Sequence, residues 1–101
     1  MSESSTRLSL QENGGNIAVS GDIDAYTAPE LAAKLDPLPG AGDLVLDLTE
    51  VGFMDSSGIR VLVATHQKAE EADRVLRVTG ANRAVRRILE ISGLLDHLNV
   101  D

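Results

Sequence analysis

Cysteine is absent from this 101-residue chain, which excludes disulfide bonds, thiolate metal sites and thiol catalysis and allows a reducing compartment. Tryptophan is absent too, and one tyrosine and one phenylalanine make up the whole aromatic content. Basic residues are scarce: nine Lys and Arg stand against sixteen Asp and Glu, a formal charge of −7. That balance argues against nucleic acid as a partner, because affinity for a phosphate backbone rests on cations that displace condensed counterions. No apolar run approaches the roughly 20 residues that span a bilayer. The start, Met1-Ser2-Glu3-Ser4-Ser5-Thr6-Arg7, lacks the basic and apolar blocks of a signal peptide. The expectation is a cytoplasmic protein without membrane contact.

What is present suits a single ordinary domain. A hydrophobic content of 43% can close one core, but so short a chain rarely spares interior volume for a cofactor. Function is therefore expected on the surface and directed at another protein, with no cofactor. The two histidines, His66 and His97, are too few for a metal site and have no carboxylate at ligand spacing that singles them out.

Periodicity predicts alternating strands and helices. Leu8 and Leu10 alternate with Ser9, Asn13-Gly14 supplies the positive φ of a tight hairpin, and Ile17 and Val19 continue an antiparallel second strand. Thr27-Ala28-Pro29-Glu30 reads as a capping box opening a helix with Leu31 and Leu35 on one face; Pro37, Pro39, Gly40 and Gly42 end it. Leu44-Val45-Leu46-Asp47-Leu48 is nearly continuous in apolar character, as in a central strand covered on both faces. A helix from Asp55-Ser56-Ser57-Gly58 to about Ala72 places Ile59, Leu62, Val63 and His66 on one stripe. A strand at Val75 to Val78 follows, then a helix capped by Asn82 and stopped near Gly93, carrying Val85, Ile88 and Leu89. Leu94 to Val100 reads as a last short helix or an edge strand. The alternation implies right-handed crossovers and a mixed, mostly parallel sheet of four to five strands, with an N-terminal hairpin and about four helices packed on its faces.

The segment with chemical potential is Val51 to Ile59, a strand-to-helix turn. Asp55, Ser56 and Ser57 stand where backbone N–H groups lack helical partners, a place that accepts a negative group. Asp and Ser are also favoured helix caps, and a D-S-S-G start needs no regulatory explanation. However, Phe53-Met54-Asp55-Ser56-Ser57-Gly58-Ile59, with Gly21-Asp22-Ile23-Asp24 and Thr27-Ala28-Pro29-Glu30-Leu31, resembles the STAS domain of anti-sigma factor antagonists. All three stretches occur in that family's order and spacing.

The resemblance covers essentially the whole chain. Residues 1–6, polar and Ser-rich, read as a flexible tail, and the resemblance implies a single STAS domain over 7–101. It further implies that an anti-sigma factor, itself a serine kinase, phosphorylates the serine after the aspartate, here Ser56, and that a phosphatase reverses the step. Only the bare form would bind the kinase and free a sigma factor. By this resemblance the partner surface comprises Asp24, Asp55, Ser56, Ser57 and Gly58, to which Arg60 is added on its position, on a chain that is a monomer or a weak dimer. Asp24 reads equally as a turn or cap residue before the Thr27 helix. Arg60 departs from the family, which has a small residue, often glycine, two positions after the D-S-S-G glycine. Four residues beyond Ser56, its side chain could reach a phosphate or an acidic patch on the partner, or simply pack along its own helix. Asp22 replaces a common Glu.

Two other classes compete. An enzyme with Ser56 as nucleophile is disfavoured because nothing resembles a G-x-S-x-G elbow. An adaptor role is the alternative, since STAS domains also serve anion transporters, lipid-transport ATPases and stress-sensing assemblies. Arg83, Arg86 and Arg87 form a local basic face read as solvated surface.

Overall fold

Residues 8–94 and 98–100 are described by a computed structural model, and the alternation of buried and open positions along its strands dictates the architecture. The elements are β1 (Ser9–Asn13), β2 (Asn16–Ser20), α1 (Ala28–Leu35), β3 (Leu44–Glu50), α2 (Ser56–Glu71), β4 (Leu76–Thr79), α3 (Arg83–Ile91) and β5 (Asn99–Val100). They form one sheet in the order β1-β2-β3-β4-β5, with β1 antiparallel to β2 and every other pair parallel. The tail expected over 1–6 lies outside the described residues.

The opening hairpin forms one residue later than the sequence suggests. Asn13 pairs with Asn16 inside the ladder, so the two-residue turn is Gly14-Gly15, and Gly14 takes the positive φ of +64°. At the C-terminal end Asn99–Val100 form the edge strand β5 and the Leu98 N–H donates to the Leu94 carbonyl (2.8 Å); the rest of the segment read as a short helix or an edge strand, residues 95–97, lies outside the described residues. Three helices, not four, are present among the described residues.

The main correction concerns β3, expected to be covered on both faces. Ile17, Val19, Leu44, Leu46, Leu48, Leu76 and Val78 are each at most 1% exposed, while Ala18, Val45, Asp47 and Thr79 are half-buried and Arg77 is exposed. The reason lies in the strand order. Each crossover from β2 onward moves one strand in the same direction, and right-handed crossovers taken in one direction deliver every helix to the same face. Leu31 and Leu35 of α1, Leu62 and Ala69 of α2, and Val85 and Leu89 of α3 accordingly join the inner strand residues in one core. Among the described residues the outer face carries no helix, and it is mostly polar. There the Thr49 hydroxyl and N–H both donate to Asp47 Oδ1 (2.5 and 2.9 Å) and hold its carboxyl below the usual range, against a smaller opposing effect of burial.

Helix α2 meets the sheet along Gly58, Leu62, Thr65 and Ala69, a stripe rotated from the expected Ile59, Leu62, Val63 and His66. Three of its four members are small, so the helix approaches closely, and the larger Ile59, Val61 and Val63 pack at the flanks, partly buried.

The loop between α1 and β3 is fastened by a residue whose role is invisible in sequence. Arg74, just past α2, donates from Nε to the Gly42 carbonyl (2.6 Å), from Nη1 to Leu38 (2.6 Å) and from Nη2 to Pro39 (2.7 Å). A planar guanidinium matches three converging carbonyls, and bonds with a charged donor are the stronger kind. Arg74→Ala should lower the unfolding free energy by about 1–3 kcal/mol, with Arg74→Lys recovering little of it. Urea unfolding checks this, and an unchanged midpoint for the alanine variant would show that the loop is held by something else.

Candidate functional site

Two loops on different crossovers are joined at the carboxyl end of the sheet. Ile23 and Met54 form an isolated parallel bridge, with the Ile23 N–H donating to the Phe53 carbonyl (2.9 Å) and the Asp55 N–H to the Ile23 carbonyl (3.1 Å). Both bridge side chains are buried. Their flanking residues Asp22 and Phe53 are exposed, and Asp24 and Asp55 are half-buried. A third element secures the arrangement: the Asn82 side chain accepts from the Val85 N–H (2.8 Å) as the α3 cap, and its Nδ2 donates to the Val51 (3.2 Å) and Gly52 (3.4 Å) carbonyls.

On this platform α2 begins. Asp55 is its N-cap, with extended φ and ψ of −112° and −168°, and Oδ1 accepts from the Ser57 N–H at 2.7 Å. The Gly58 and Ile59 N–H groups both donate to the Asp55 carbonyl (3.0 and 3.3 Å). The free amides anticipated at this helix start are therefore largely committed to Asp55. Ser56, the first helical residue, is exposed, whereas Ser57 is half-buried.

Gly58 belongs to the expected partner surface by sequence, yet it is buried. A Cβ built there would lie 2.6 Å from Met54 Cγ and 2.8 Å from Ile23 Cγ2. Its contribution is the close seating of α2 on the bridge, which sets the position of Ser56.

Asp24 has a local structural part. Its Oδ1 accepts from the Tyr26 N–H (2.9 Å) and the Thr27 N–H (3.0 Å), and the buried Thr27 hydroxyl donates to it at 3.2 Å and to the Asp22 carbonyl at 2.8 Å. The expected capping box at Thr27 thus differs: Thr27 makes no side-chain cap bond to α1, and its hydroxyl faces back into the loop. The bridge still brings Asp24 beside Asp55, so Asp24, Asp55, Ser56 and Ser57 share one end of the molecule.

Arg60 is exposed and makes no hydrogen bond or ion pair with another described residue, whereas Lys34, Lys68 and Arg77 each have a carboxylate partner. With Ser57 and Val61 it forms one bank of a shallow groove of about 310 Å³, whose other bank is Ala25, Ala28, Pro29 and Ala32. At the same end, Tyr26 is 90% and Phe53 49% exposed, so the only two aromatic residues of the chain both face solvent on the bridged loops. Sequence reasoning passed over both as site residues; the signal was their rarity, since isolated aromatics away from the core are enriched at protein interfaces. No cluster of His, Cys, Asp and Glu able to hold a metal occurs among the described residues, and no described helix is long and apolar enough to cross a membrane. His66 lies far along α2 from Ser56, ten residues on, and His97 is outside the described residues.

Comparison with known proteins matches residues 6–99 to the family described as "Mlab, STAS domain". An anti-sigma-B factor antagonist of Staphylococcus aureus (strain NCTC 8325 / PS 47) is 33% identical over 93 residues, spanning 90% of this chain and 86% of that protein. The crystal structure of an anti-sigma factor antagonist from Mycobacterium paratuberculosis superposes with a TM-score of 0.77 at 29% identity, covering 92% of this chain and 82% of that one. The STAS domain of a SulP transporter from Vibrio cholerae superposes with a TM-score of 0.64 at 25% identity, covering 82% and 68%.

The seat of α2 yields a direct test. On an open helix Gly→Ala stabilises by about 0.5–1 kcal/mol. Gly58→Ala should instead destabilise by about 1–3 kcal/mol, because Ile23 and Met54 have to give way. A denaturant midpoint equal to or above the parent's would show that the seat has slack.

Proposed function

The chain belongs to the STAS domain family, and on that premise we propose that it is an anti-sigma factor antagonist: with Ser56 bare it binds an anti-sigma factor serine kinase and so releases a sigma factor. Phosphorylation of Ser56 by that kinase ends binding, and a phosphatase restores the active form. The role is regulatory and not catalytic, placed in the cytoplasm, with residues 7–101 acting as one domain that is a monomer or a weak dimer.

The observation that carries this reading is the exposure of Ser56 at the first position of α2, next to Asp55 and Ser57, with Arg60 one turn on and the exposed Tyr26 and Phe53 on the bridged loops. Relatives named as antagonists, one of them 33% identical across nine-tenths of the chain, support it. Physically, a phosphate adds about −1.5 to −2 charges beside Asp55, whose carboxylate already occupies the cap. A docked partner would have to desolvate that charge, and each loss of about 1.4 kcal/mol weakens binding tenfold. No backbone movement is needed, since Ser56 is already exposed.

The adaptor reading, in which the domain serves a transporter, a lipid-transport ATPase or a stress-sensing complex, draws on the description of the matched family and on the SulP transporter likeness. Recovery of a transporter ATPase in place of a kinase in a pull-down would favour it.

Incubation with ATP and candidate anti-sigma kinases should place one phosphate on Ser56 by mass spectrometry and none on Ser56→Ala. Ser56→Asp should weaken kinase binding by about one to two orders of magnitude; unchanged affinity of this variant sinks the switch. Tyr26→Ala and Phe53→Ala should each reduce affinity about tenfold or more while thermal unfolding stays near that of the parent, measured by calorimetry on the same samples.

A further inference from the structure

We infer that Arg60 is the built-in counter-ion of a phosphate on Ser56, drawn out of the α1–α2 groove when that serine is modified. The inference rests on the proposed switch, because it concerns the modified state of the same residue.

A helix start ordinarily receives a phosphate through its free N–H groups. Here that route is nearly closed. The Ser57 N–H is taken by the Asp55 carboxylate and the Gly58 and Ile59 N–H groups by the Asp55 carbonyl, so only the N–H of Ser56 itself has no described partner. The nearby charges also oppose an anion: Asp55 is adjacent, and Asp22 and Asp24 lie on the bridged loop. Glu30 of α1 lies elsewhere, on a concavity shared with Glu12 and Lys34. A phosphate on Ser56 therefore needs a cation from another part of the site.

Arg60 meets every requirement. Residues four apart on a helix are surface neighbours, with Cβ atoms about 5–6 Å apart, and helical side chains lean toward the N-terminus, which carries the guanidinium over Ser56. An anion placed four residues before a cation is the more favourable orientation of such a pair. The guanidinium is exposed and uncommitted among the described residues, and its planar fork matches phosphate oxygens with two parallel bonds. Arg60 also forms part of the groove bank with Ser57 and Val61. Its capture by the phosphate would change the docking surface through one side-chain swing, in addition to the charge the phosphate brings.

The test uses the full chain prepared chemically with phosphoserine at position 56, titrated by phosphorus NMR beside the same chain carrying Arg60→Gln or Arg60→Lys. The second phosphate ionisation, ordinarily near pH 6, should fall about half a unit lower in the parent than in Arg60→Gln, because a neighbouring cation favours the dianion. Arg60→Lys should recover part of the shift, and about 1 M salt should shrink it. A merely structural role would leave the phosphate titration alone and would instead alter the melting of the unmodified chain, which should be the same in parent and Arg60→Gln. Coincident phosphate titrations of parent and Arg60→Gln overturn the inference while leaving the switch in place. A Ser56 that no serine kinase modifies overturns the switch, whereas the titration, made on chemically installed phosphoserine, stands independently.

Discussion

Backbone pairing between Ile23 and Met54 holds the end of the molecule that carries Ser56 together. It joins the loop entering α1 to the loop entering α2, two segments about thirty residues apart, and turns them into one continuous rim. Both side chains are buried beneath the rim, so alternation sends the flanking Asp22, Asp24, Phe53 and Asp55 outward. Helix α2 can stand on this bridge only because Gly58 has no side chain to collide with it. The location of Ser56 is thus a consequence of core packing a few ångströms beneath it, and Asn82 ties the same rim to α3.

The one-sided sheet follows from topology as directly. Because the strand order advances without reversal, the three described helices collect on one face, and no topological switch point separates them among the described residues. At the strand ends the described residues present a loop-and-helix surface. Small residues at Gly58, Thr65 and Ala69 bring α2 down onto the strands, while Ala25, Ala28 and Ala32 leave the seam toward α1 shallow and open. The single tyrosine and phenylalanine of the chain stand at this end, exposed to solvent and not packed into the core.

The electrostatics of the rim decide how a modification there would act. In the proposed switch, Asp55 already satisfies the first turn of α2, so a phosphate on Ser56 would find few amides to order and several carboxylates to oppose it. Its effect would be felt by whatever docks on the rim, and the fold beneath would be left as it is. A chain of net charge −7 that places Arg60 at this rim, uncommitted among the described residues, has a local exception to its overall sign, and local charge governs contacts within a Debye length of about 8–10 Å.

By itself, the sequence determined the order of elements, the hairpin, the inward residues of β2, the Asp55 and Asn82 caps and the stretch around Ser56, because these depend on period, capping chemistry and neighbours a few residues apart. It misplaced what depends on partners distant in the chain. The apolar run at Leu44 to Leu48 suggested two covered faces, and the handedness of successive crossovers left one. The α2 stripe rotated because close approach to the sheet selects small residues, which apolar periodicity undercounts. Gly58 lies buried as the seat of α2, Asp24 braces its own loop, one of the two readings open for it, and Arg74 gained three carbonyl partners that no local pattern announces. Only the tertiary structure decided these, for the same reason each time: a side chain's role is set by what the fold brings within a few ångströms of it, and those atoms come from segments that the linear order keeps apart.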